Sequence, residues 1–138
     1  MRRSLFVLGL VAVMSMPARA TLTVIDFDNL ATSTIVTNQY AGLTFSGATV
    51  LTKGVNLNSI YPPESGANVV YDSTNGTIGV NFASATDSVG GYITGNTSIT
   101  LFAYSGINGT GTLLGTMSTG GANYVGAGTG LSPNIFLS

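Results

Sequence analysis

Short runs in which apolar residues alternate with small or polar ones, each cut off by Gly, Asn or Ser, fill most of this chain. In Thr77-Ile78-Gly79-Val80-Asn81-Phe82 the apolar Ile78, Val80 and Phe82 recur at every second position, the period of a strand with one face buried. Asn75-Gly76 lies between Val69-Val70-Tyr71 and that strand, and this dipeptide accepts the positive φ values of a type I′ turn, so residues 68–82 are expected to form a β-hairpin. Further strands are expected over residues 21–27, 43–45, 48–52, 88–94, 98–104 and 113–119. Helical crossovers would need ten or more residues between strands, and the intervals are too short and too rich in glycine. The spacing predicts an all-β fold, an antiparallel β-sandwich of jelly-roll type.

Composition agrees. Gly, Ser, Thr and Asn supply about half of the residues after position 20, and no stretch carries helix formers at a 3.6-residue period. From Gly106 to Gly130 the glycine density marks long loops, and no strand is expected between Gly120 and Pro133. Asn134-Ile135-Phe136-Leu137-Ser138 reads as the opening of a strand. The single domain, residues 21–138, is therefore expected to lack its last strand or strands. An unclosed sheet leaves open edges, through which copies of the chain are expected to self-associate.

Residues 1–20 read as a secretory signal peptide. Arg2 and Arg3 precede an apolar run from Leu5 to Met14, and Ala18-Arg19-Ala20 has the small-residue pattern of a cleavage site after Ala20. The run is well short of the ~20 residues that cross a bilayer. Cleavage removes every arginine and leaves Lys53 alone against Asp26, Asp28, Glu64, Asp72 and Asp87. A chain with one base cannot neutralise a phosphate backbone or bind an anionic bilayer, so neither nucleic acid nor, after cleavage, a membrane is an expected partner.

Charged residues make up 7% of the chain, against about 25% in an ordinary soluble protein, while 44% hydrophobic content is too high for disorder. Histidine and cysteine are absent, which excludes Ser-His-Asp catalysis, thiolate nucleophiles and the usual zinc ligand sets. Glu64, Asp72 and Asp87 lie beside Gly, Ser, Thr or Asn, a context of solvated turns rather than of a desolvated acid, so no enzymatic activity is expected.

The segments IDFDNL at Ile25 to Leu30, NQYAGLTFSGATVL at Asn38 to Leu51, PPESGANVVYD at Pro62 to Asp72 and SVGGYIT at Ser88 to Thr94 together resemble exported bacterial proteins of the PEP-CTERM type. That resemblance implies a signal peptide followed by a β-sandwich in the extracytoplasmic space of a Gram-negative bacterium that makes extracellular polysaccharide. The Pro-Glu-Pro motif, second apolar helix and basic tail that usually end such proteins do not occur in this sequence. Similar sandwiches include jelly-roll carbohydrate-binding modules that hold a structural calcium ion between the first strand and the last. The function expected is a non-catalytic structural or adhesive component of an exopolysaccharide or biofilm matrix, with a calcium-supported carbohydrate-binding module as the alternative.

Two sets of residues are candidates for a site. Asp26 and Asp28 lie two apart, so on an extended strand both carboxylates would leave one face and could share calcium, which takes six to eight oxygens. The competing reading makes them the end of a strand and the cap of the turn that follows. Tyr40, Tyr61, Phe102 and Tyr104 are the candidate sugar-binding aromatics, because the apolar face of a pyranose stacks on such rings while amides and hydroxyls take its hydroxyl groups. Phe102 and Tyr104 share one face of a strand whose other face carries Ile99, Leu101 and Ala103, and core packing is the competing reading for them. Lys53 is expected only to solvate the loop before Gly54.

Overall fold

A computed structural model describes residues 22–73 and 76–138. The signal peptide expected over residues 1–20, its cleavage at Ala20, and Asn75 of the expected turn lie outside the described residues.

Among the described residues nine strands form: β1 (Ile35–Val36), β2 (Leu43–Ser46), β3 (Ala48–Thr52), β4 (Asn68–Asp72), β5 (Gly79–Phe82), β6 (Gly91–Ile93), β7 (Thr100–Tyr104), β8 (Leu113–Ser118) and β9 (Ile135–Leu137). A short 3-10 turn, Ile107–Gly109, joins β7 to β8. Every ladder between these strands is antiparallel. β1, β3 and β4 make a three-stranded sheet in the order β1-β3-β4, and β2–β5, β6–β9 and β7–β8 are two-stranded pairs. The protein is all-β, as its periodicity predicts, and the several antiparallel sheets are consistent with a sandwich.

One core joins two of these sheets. Val36 lies opposite Ala48, and Val50 opposite Val70, so four apolar side chains leave the same face of the three-stranded sheet. They meet Phe45 of β2, and Val36, Phe45, Ala48 and Val50 are buried, with Phe27, Leu30, Tyr40, Leu43, Val70 and Ile78 packed around them. A fully buried valine such as Val36 or Val50 contributes about 1.5–3 kcal/mol. The opposite face of the sheet carries Ile35 and Tyr71, both exposed.

The hairpin expected over residues 68–82 does not form. β4 pairs with β3, from Ala48 against Asp72 to Thr52 against Asn68, whereas β5 pairs with β2, from Leu43 against Phe82 to Ser46 against Gly79. The reason lies at Gly47, which separates β2 from β3. Its φ of +71° lets the chain bend from one sheet into the other, and a side chain there would strike the Thr77 carbonyl just before β5. The bent segment 43–52 thus supplies partners to both β4 and β5. The turn propensity of Asn75-Gly76 is local and cannot outweigh these ladders.

Other expectations shift in detail. Residues 22–27 carry no strand, β6 and β7 are shorter than residues 88–94 and 98–104, and β1 forms in a Thr-rich segment where no strand is expected. In β5 Val80 and Phe82 stand opposite Phe45 and Leu43, yet of the three apolar residues expected to be buried only Ile78 packs against the core. Burial is incomplete, however, and Val80 and Phe82 each stay 37% exposed at the rim.

The C-terminal half is held by amides. Asn123, fully buried, accepts from the Gly95 amide at 2.8 Å and donates to the Ile93 carbonyl at 2.6 Å, tying the glycine-rich loop to the end of β6. Asn108 in the 3-10 turn and Asn81 on β5 bond reciprocally: the Asn108 amide donates to Asn81 Oδ1 at 2.8 Å, and Asn81 Nδ2 donates to Asn108 Oδ1 at 2.7 Å. This pair docks the tip of the β7–β8 hairpin on β5.

Candidate functional site

Asp26 and Asp28 do not lie on an extended strand. Phe27 between them adopts φ +64°, and a turn follows, closed by the Leu30 amide donating to the Phe27 carbonyl at 3.0 Å. A positive φ breaks the period of two on which the shared-face geometry depended. The unfavourable conformation of Phe27 is offset by its ring, which packs edge-on against Tyr40 and Phe45 with centroids 5.7 and 5.8 Å away.

The carboxylates are used inside the chain. Asp28 Oδ1 accepts from the Ala67 amide at 3.0 Å and the Asn68 amide at 2.8 Å, and Asp26 Oδ1 accepts from the Asp28 amide at 3.1 Å. Asn68 completes the junction by donating to the Phe27 and Leu30 carbonyls at 2.9 Å each. Gly66 beside it has φ +57°, and a β-carbon there would overlap the Asp28 carboxylate. Asp28 is thus a rivet between the first turn and the start of β4. Among the described residues no three Asp, Glu, His or Cys side chains gather into a group that could hold a metal. Calcium takes six to eight oxygens, and here two carboxylates stand together, each with its Oδ1 bonded to backbone amides.

The four candidate aromatics fall into three environments. Tyr40 is half-buried, its ring 5.7 Å from Phe27 and 6.1 Å from Phe45, and its hydroxyl donates to Asn29 Oδ1 at 2.6 Å. Burial pushes the Tyr40 hydroxyl pKa up, and the charges of Asp26 and Asp28 act in the same direction. It is a packing residue at the edge of the core. Tyr61 is half-buried on the loop after β3, its ring 6.0 Å from that of Tyr124.

Phe102 and Tyr104 stand on the open face of β7, 53% and 38% exposed, with their rings nearly parallel at 29° and centroids 6.4 Å apart. The register places Thr116 opposite Phe102, and Ser118 opposite Thr100, so hydroxyls border the ring pair on the same face. Leu113, opposite Tyr104 beyond a bulge, extends the apolar area. The other face of the hairpin presents Leu101, Ala103, Gly115 and Met117 to a shallow apolar depression of about 220 Å³, shared with Val89. Of the two readings open for Phe102 and Tyr104, burial in a core is the one the structure overturns. Both faces of β7 are apolar in sequence, and the inward one is the smaller pair, Leu101 and Ala103.

A second aromatic pair escaped the sequence reading. Tyr92 on β6 lies directly opposite Phe136 on β9, with ring centroids 5.0 Å apart and both side chains exposed. No local signal joins positions so far apart in the chain. Only the strand pairing does. Together these surfaces offer flat apolar rings bordered by neutral hydroxyls, a chemistry suited to contact rather than to proton transfer. Comparison with protein-family models, with curated proteins and with solved structures finds no match for this chain.

Proposed function

We propose that this protein is a non-catalytic, secreted all-β protein of sandwich type that serves as a structural or adhesive component of an extracellular polysaccharide matrix. It touches the polysaccharide through the aromatic face of the β7–β8 hairpin. The observation that carries this reading is the exposed, near-parallel ring pair of Phe102 and Tyr104, bordered by Thr100, Thr116 and Ser118. Burying such rings inside the molecule would have been favourable, and a soluble chain that instead exposes them leaves an apolar patch of the kind that marks an interaction site. Pyranose rings present apolar faces to such a platform and hydroxyls to its border. The export signal read in residues 1–20 and the resemblance to matrix-associated exported proteins support the same compartment.

Sugar contact on this reading runs through the rings and hydroxyls of the hairpin, while Asp26 and Asp28 each use their Oδ1 on backbone amides in the first turn. A gel-retardation or glycan-array assay tests the reading. A neutral polysaccharide should retard the protein equally with and without chelator, and the double variant Phe102→Ala, Tyr104→Ala should bind about tenfold more weakly, since each lost stacking contact removes ~0.5–1.5 kcal/mol. Undiminished binding by the double variant, or binding that chelator abolishes, would refute it.

A further inference from the structure

The loop after β3 builds a second, differently charged pocket. The Thr52 carbonyl accepts from the amides of Val55, Asn56 and Leu57, each at 3.1 Å, and the Asn58 side chain accepts from the Ile60 amide at 3.1 Å. The Val125 amide donates to the Ile60 carbonyl at 2.9 Å, fixing the loop to the C-terminal half. These bonds close a depression of about 160 Å³ lined by Lys53, Leu57, Asn58, Tyr61, Pro62 and Pro63. Its walls are therefore set by the fold before any ligand arrives.

Its charge is unlike that of the rest of the surface. Lys53 is the one base among the described residues, and the other ionisable side chains there are aspartates, a glutamate and tyrosines. Its ammonium is exposed and has no carboxylate partner among the described residues. Glu64, next after Pro63, does not line the pocket. Tyr61, Pro62, Pro63, Asn58 and Lys53 thus line a single small volume.

We propose that this pocket is a subsite for a carboxylated pyranose, a uronic acid residue of an acidic polysaccharide. Tyr61 and the prolines take the apolar face of the sugar, the Asn58 amide takes a hydroxyl, and the Lys53 ammonium takes the carboxylate. The assignment rests on the reading of the protein as polysaccharide-binding and gives that reading a ligand class. It also gives Lys53 a role beyond solvating its loop. The site is separate from the Phe102–Tyr104 face, so one molecule could grip a chain at two places and gain avidity.

The test uses the mature protein with hexagalacturonate and its methyl ester, which keeps the rings and removes the charge. Wild-type protein should bind the acid about fivefold more tightly than the ester, the upper range for a solvent-exposed ion pair, and the preference should shrink as salt is raised. Lys53→Gln, a surface change that leaves the backbone bonds intact, should bind acid and ester alike. Tyr61→Ala should weaken both ligands, and Phe102→Ala, Tyr104→Ala should leave the acid-over-ester preference unchanged. Equal binding of acid and ester by the wild type, or a preference that survives Lys53→Gln, would overturn the proposal. If neutral glycans bind at the hairpin while hexagalacturonate does not bind, the uronate site fails and the broader function stands. If no glycan binds at all, both fail.

Discussion

At the scale of single residues, the first turn shows how one torsion redirects chemistry. With Phe27 at positive φ, the exposed Asp28 bonds to the amides at the start of β4, and its neighbour Tyr40 finds itself beside two carboxylates and the core. The Tyr40 hydroxyl pKa is raised above its ordinary 10.0, first by burial and then by Asp26 and Asp28. A raised folded-state pKa means that the unfolded chain ionises first. The stability this tyrosine contributes is whole below about pH 10 and is lost as pH climbs through the folded-state value. Tyr40→Phe should cost about 1 kcal/mol at pH 8, through loss of the bond to Asn29. Its deficit against wild type should narrow between pH 8 and pH 11 in denaturant titrations, because phenylalanine cannot ionise. A deficit that stays constant or widens would contradict the assigned environment.

At the scale of elements, β8 stands out. All six of its residues are exposed, its sequence Leu-Leu-Gly-Thr-Met-Ser carries no charge and no proline, and among the described residues only β7 pairs with it. An edge without such guards is a template for another strand. Copies of the protein are therefore expected to associate reversibly, with a sedimentation coefficient that rises with concentration. Leu114→Lys, at the exposed bulge, should shift that equilibrium toward monomer. A wild-type protein that remains monodisperse across the concentration range would count against the open edge.

Elements also show what could be read in advance. β3 was legible to the residue, because Ala48–Thr52 is bounded by Gly47 and Gly54 and its alternation needs no partner to be seen. The pairing of β4 and β5 was not, since it depends on Gly47 letting one bent segment serve two sheets. Sequence placed Phe102 and Tyr104 on one face but could not say which face would be covered. Asp26 and Asp28 were visible as a pair, yet their geometry turned on the backbone of the residue between them. The Tyr92–Phe136 pair, made by β6 and β9, had no local trace at all.

For the whole molecule, polar and apolar parts divide the labour. One core between the three-stranded sheet and the β2–β5 pair is closed by valines and Phe45. The C-terminal half is held mainly by amide bonds such as those of Asn123 and of the Asn81–Asn108 pair, which leaves its larger side chains free to face outward. Scarcity of charge keeps these outward surfaces neutral, with Lys53 as the exception that defines the second pocket. The account stands on the hairpin face being a contact surface for sugar, and an amide-resolved NMR titration with a neutral oligosaccharide tests that most directly. Resonances of residues 100–104 and 113–118 should shift together and saturate, while those of Val36, Phe45, Ala48 and Val50 stay fixed. No shifts at saturating sugar, or shifts that spare the hairpin, would contradict it.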